Sequence, residues 1–266
     1  MEKLKLAAGM TGEQKRYAVE AALLLGFQSE TATFPVITAD GEIPVPENME
    51  ELKALWKKST GETPEEYESA SKHTGPIFDL DFRKEKGLET MLQKGDFLKD
   101  ENQDLLPDVL DVKIVLPEDA DDAMLVAACN LAWRFGMETT GYKGNITADA
   151  AYTGNRLVLE KAEQTELVQE KEGESVKVSL RGDGEKLIAF TSRLCTEFPQ
   201  INGQRSWKDL LMDMVDDFVL RGADGQLAAL KAMQKEQTGE YEVYGSPLWN
   251  DTQKKEAGDA KVYNYK

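Results

Sequence analysis

VLDVKIVLPEDADDAMLVAACNLAWRFGMETT, from Val109 to Thr140, carries the pattern that decides the fold class. Its opening run, VLDVKIVLP, is dense in β-branched residues and predicts a strand. Asp119 predicts the cap of a helix that runs through Phe135, with Gly136 as its stop. Within it Met124, Ala127, Ala128, Leu131, Ala132 and Phe135 spread a broad face of mostly small apolar side chains, suited to close packing on a sheet. METT then predicts the next strand. Strand, helix and strand in this order predict a βαβ unit with a right-handed crossover.

Working outward, RLVLE, ELVQE and SVKVSL predict three further strands, the last two joined by a hairpin turn at KEGE. Gly182 to Gly184 predicts the opening of a helix, EKLIAFTSRLCTEF, with Leu187, Phe190, Leu194 and Phe198 inward. Ser206 and Asp209 start another, whose stripe is Trp207, Leu210, Leu211, Met214, Val215 and Phe218. ADGQLAALKAMQKEQTG reads as helix and EYEVYG as strand. On the amino-terminal side, Thr11 and Gln14 form a capping box before YAVEAALLLG, with Gly26 as the stop. FPVIT predicts a short edge strand. Met49, Leu52, Leu55 and Trp56 recur at helical spacing, and Thr63-Pro64-Glu65-Glu66 begins another helix.

The expected fold is therefore α/β or α+β. A mainly helical portion spans 1–108, an α/β portion 109–245, and a polar segment 246–266. That segment ends on the strand-like KVYNY, so it is expected to lead into a further domain.

Charge narrows the partners. Thirty-two basic residues against forty-nine acidic ones leave a net charge of −17. No dense basic patch offsets this field, so neither nucleic acid nor an anionic membrane surface is expected to bind. MEKLKLAAGM lacks the apolar run of a secretory leader, and no stretch approaches the roughly 20 apolar residues of a membrane span. Cys129 and Cys195 are far apart, lie in expected helices and have no CxxC neighbour, which fits reduced thiols in the cytoplasm. The sequons at Asn145 and Asn250 would matter only along a secretory route.

Three stretches carry candidate chemistry. In KDENQDLLPD and the residues after it, Asp100, Asn102, Asp104, Asp108 and Asp111 take positions one, three, five, nine and twelve of a loop. Over these twelve residues the spacing resembles the loops of EF-hand, dockerin and thrombospondin-type calcium repeats, and that resemblance implies Ca2+ held by those five side chains. Leu105 stands where such loops need glycine, Asp111 is shorter than their final glutamate, and no second copy exists. The plainer reading is a polar surface turn, because Asp and Asn bond to their own backbone there.

PIFDLDFRK resembles the Asp-x-Asp motif of haloacid-dehalogenase-type phosphatases, which would make Asp79 a nucleophile and Asp81 an acid/base. Phe82-Arg83 replaces the expected Gly-Thr. GMETTGYKGN offers Thr139, Thr140, Tyr142 and Lys143 for a ligand, on the expectation that it follows a strand at its carboxyl end. His73 is the single histidine, so a multi-histidine zinc site is excluded, and no phosphate-binding G-x-x-x-x-G-K-[ST] occurs.

So small a set of reactive groups favours a non-catalytic binding, scaffold or accessory domain that needs no cofactor. Its partner would be another protein or a further domain of the same polypeptide, and it would serve as the front part of a larger enzyme in the second case. Two readings compete. One is a carboxylate-based metal-dependent hydrolase using some of Asp79, Asp81, Asp100, Asp104 and Asp108. The other is a calcium-stabilised interaction module.

Overall fold

The computed structural model describes residues 2–29, 32–60, 97–99, 101, 109–139, 141, 145–196 and 219–221. They form an α/β fold. In chain order the elements are β1 (Leu4–Lys5), α1 (Gly12–Phe27), β2 (Ile37–Thr38), α2 (Met49–Thr60), β3 (Leu98–Lys99), β4 (Val109–Leu110) and β5 (Lys113–Val115). Then come α3 (Asp122–Glu138), β6 (Thr147–Ala148), β7 (Arg156–Lys161), β8 (Glu166–Glu172), β9 (Ser175–Gly182), α4 (Gly184–Thr196) and β10 (Val219–Arg221).

Six strands make the main sheet, in the order β10-β8-β9-β7-β5-β6. β6, β5, β7 and β9 pair in parallel, β8 runs antiparallel to β9, and β10 runs parallel to β8. The expected βαβ unit and its antiparallel extension are both present. The β8–β9 hairpin closes on Glu172 paired with Ser175, and Gly173 takes the positive φ that the tight turn demands. Among the described residues no helix is long and apolar enough to cross a membrane.

The second strand of the βαβ unit is not METT. Helix α3 continues through Met137 and Glu138, and the strand it leads to is Thr147–Ala148. Gly136 does not stop α3, and Gly26 does not stop α1 before Phe27. Both glycines serve a different purpose, because the two helix backbones touch there. A Cβ on Gly26 would lie 2.0 Å from the Trp133 carbonyl oxygen, and one on Gly136 would lie 2.2 Å from that of Leu23. Only glycine permits so close an approach. At the other end of the pair the Lys15 ammonium donates to the Ala120 carbonyl, so α1 and α3 run side by side in the same direction.

The caps are local and mostly as expected. Thr11 and Gln14 form the reciprocal capping box of α1. The cap of α3 is Asp121 rather than Asp119, with its carboxylate accepting from the Met124 N–H at 3.0 Å. The run VLDVKIVLP divides in two. Val109–Leu110 turns back to pair with Leu98–Lys99, and only Lys113–Val115 joins the main sheet. Leu4–Lys5 and Val219–Arg221 are strands that no sequence pattern announced.

One core takes residues from both sides of residue 109. It includes Leu4, Leu23, Ile37, Trp56 and Phe97 together with Ile114, Leu125, Phe135, Leu157, Leu180 and Leu194. α3 packs on β7, α4 packs on β9 and against α3, and α1 lies against α3 and reaches β6. α2 lies on α1, where Trp56 stacks on Phe27. Across the sheet, the in-register rows Ile114–Leu157–Val178 and Leu159–Leu180–Leu167 belong to this core. The alternate rows hold Lys113, Arg156, Lys177 and Glu170, and then Glu160, Arg181 and Glu166. This is the period-two alternation of a strand.

Two buried polar side chains join these layers. The Glu20 carboxylate on α1 accepts from the Ile146 N–H at 3.0 Å, the Thr147 N–H at 2.7 Å and the Thr147 hydroxyl at 2.6 Å. Asn130 on α3 accepts from the Val36 N–H at 3.0 Å and donates to the Thr191 and Ser192 hydroxyls, each at 3.2 Å.

Gly136→Ala is expected to lower stability by about 1–3 kcal/mol through overpacking, although alanine favours a helix by about 1 kcal/mol. Gly12→Ala, which meets nothing within 4 Å, is expected to be neutral or mildly stabilising. Urea unfolding of the two variants separates close packing from propensity. Glu20→Gln turns an amide donor toward the donors of residues 146 and 147. It is expected to cost about 1–3 kcal/mol for each donor left unpaired, and to speed amide exchange at Thr147.

Candidate functional site

The stretch singled out for a ligand is the return from α3 to the amino end of β6. That reverses the premise for it, since ligands in such sheets favour the carboxyl ends of strands. Thr139 is buried. Its hydroxyl donates to the Gly141 carbonyl at 2.7 Å and accepts from the Gly141 N–H at 3.2 Å. Thr140, Tyr142 and Lys143 lie outside the described residues. Just before the turn, Arg134 pairs with Glu138 one helical turn on. Burial pushes the Glu138 carboxyl above its ordinary range, and the guanidinium pulls it back.

For the acidic stretch the structure describes Asp111, while Asp100, Asn102, Asp104 and Asp108 lie outside the described residues. β3 and β4 pair antiparallel, with Lys99 opposite Val109, so the two ends of the stretch are neighbours. Asp111 Oδ2 receives the Lys99 ammonium and the Asn155 amide, the latter at 3.0 Å. Asn155 in turn accepts from the Val176 N–H at 2.9 Å. The Asp111 carboxylate thus fastens the hairpin base to the main sheet. Beside it, the Lys113 ammonium donates to the carbonyl and side-chain oxygens of Asn145. Burial lowers the Lys113 pKa, and the nearby Glu20 and Asp111 charges oppose that shift. Among the described residues no three His, Cys, Asp or Glu side chains gather as a metal site would require. His73, Asp79 and Asp81 lie outside the described residues.

The carboxyl edge of the parallel strands is the other place to look. There β5 leads into α3, β9 leads into α4, and β7 ends between them at Lys161. The Lys161 ammonium sits 3.3 Å from Asp121 and 3.8 Å from Asp183, the acids at the starts of α3 and α4. An acid at a helix start satisfies the positive end of the helix dipole, which is what an anionic ligand would otherwise do. The sequence pattern puts the cap of α3 at Asp119 and opens α4 at Gly182 to Gly184, and it gives no sign that Lys161 meets Asp121 and Asp183, because the two pairs span 40 and 22 residues of chain.

Cys129 on α3 and Cys195 on α4 are free and fully buried. Burial pushes both thiols far above the ordinary thiol range, so neither is a nucleophile near neutral pH.

A thiol-specific alkylating reagent at pH 8 is expected to leave both cysteines unmodified in the native protein and to label both in denaturant, read by intact-mass spectrometry. Lys161→Met is expected to change stability by under about 1 kcal/mol, because the ammonium is largely exposed and solvent screens such pairs.

Comparison of the chain with protein-family models, with curated proteins and with solved structures found no match.

Proposed function

We propose that this chain is a non-catalytic binding or accessory domain of the reducing cytoplasm, acting on a protein partner or on a further domain of the same polypeptide. One observation carries the reading: Glu20, Asn130 and Asp111, three polar side chains that sequence chemistry would offer to a ligand, are each committed to partners within the fold. Glu20 fastens β6 to α1, and Asn130 joins α3 to α4 and to the segment before β2. Asp111 fastens the β3–β4 hairpin, and the two thiols are buried without ionising. A group whose lone pairs and protons already serve the backbone is poorly placed to serve a substrate. The net charge of −17 supports a protein partner over nucleic acid.

Purified chain is expected to convert none of a panel of phosphate-ester, carboxylic-ester and peptide substrates with Mg2+, Mn2+ or Ca2+ present. Saturable turnover that is lost in Asp79→Asn or Asp81→Asn would establish the carboxylate-based hydrolase instead.

A second reading, the calcium-stabilised interaction module, has one observation in its favour. Pairing of β3 with β4 holds together the ends of the acidic stretch, as a calcium loop requires. The Lys99 ammonium on Asp111 opposes use of that carboxylate as a ligand. The leading proposal expects an unchanged melting curve with millimolar Ca2+, Mg2+ or chelator. Calcium at about 100 times its Kd would add about 2.7 kcal/mol, and a rise of that order that disappears in Asp104→Ala would establish the module.

A further inference from the structure

We draw no further inference here: the strongest candidate, the carboxyl edge of the sheet where Lys161 lies between Asp121 and Asp183 at the starts of α3 and α4, rests on helix N-termini and paired acids alone, and nothing in the structure points to a ligand there.

Discussion

Where α1 meets α3, the backbone of each helix occupies the space that a side chain on the other would need. Gly26 faces the Trp133 carbonyl and Gly136 faces the Leu23 carbonyl, so neither position can carry even a methyl group without a backbone shift. Helices with ordinary side chains at their contact stand about 8–10 Å apart. Removing the side chains at both positions draws these two closer. It also sets how α1 lies relative to the sheet, since α3 is the helix that packs on β7. The small and buried Ala18, Ala21, Ala22, Ala127, Ala128 and Ala132 suit the same tight layer.

That placement makes the buried hydrogen bonds geometrically available. With α1 held against α3, Glu20 reaches the two N–H groups that open β6, and β6 gains a partner besides β5. With α3 held between α1 and α4, Asn130 reaches Val36 on one side and Thr191 and Ser192 on the other. A buried carboxylate or amide is costly unless paired, so each of these groups favours one arrangement of the layers over its neighbours. Apolar packing supplies most of the driving force, and the polar pairs select the register.

The charged rows of the sheet follow the same logic. Arg181 lies between Glu160 and Glu166, and Lys177 between Glu160 and Glu170. Arg156 reaches across to Glu172. In a chain with so large an excess of acid, each of these bases offsets local repulsion between strands. The partners of Arg181 and Lys177 lie on the adjacent strands β7 and β8, and Arg156 spans β9 to reach β8, which ties the charge pattern to strand register and gives it a structural role.

Much of this was determined locally, and the sequence reveals that part. Thr11 and Gln14 cap α1 through contacts three residues apart, alternation marks β7 to β9, and the acidic and glycine-containing turns open α3 and α4. Hydrophobic period and cap chemistry need only near neighbours. The candidate loops were legible as composition alone. Thr139 caps the carboxyl end of α3, on the amino side of β6, because α3 runs two residues past Gly136. Only the tertiary structure decided what Gly26 and Gly136 do, since a glycine that ends a helix and one that admits a second backbone look alike in a sequence. It also decided that Leu4–Lys5 and Val219–Arg221 are strands, and that Glu20, Asp111 and Asn130 are fasteners. The partners of those side chains lie from 12 to 127 residues away, and only folding brings them within hydrogen-bond reach.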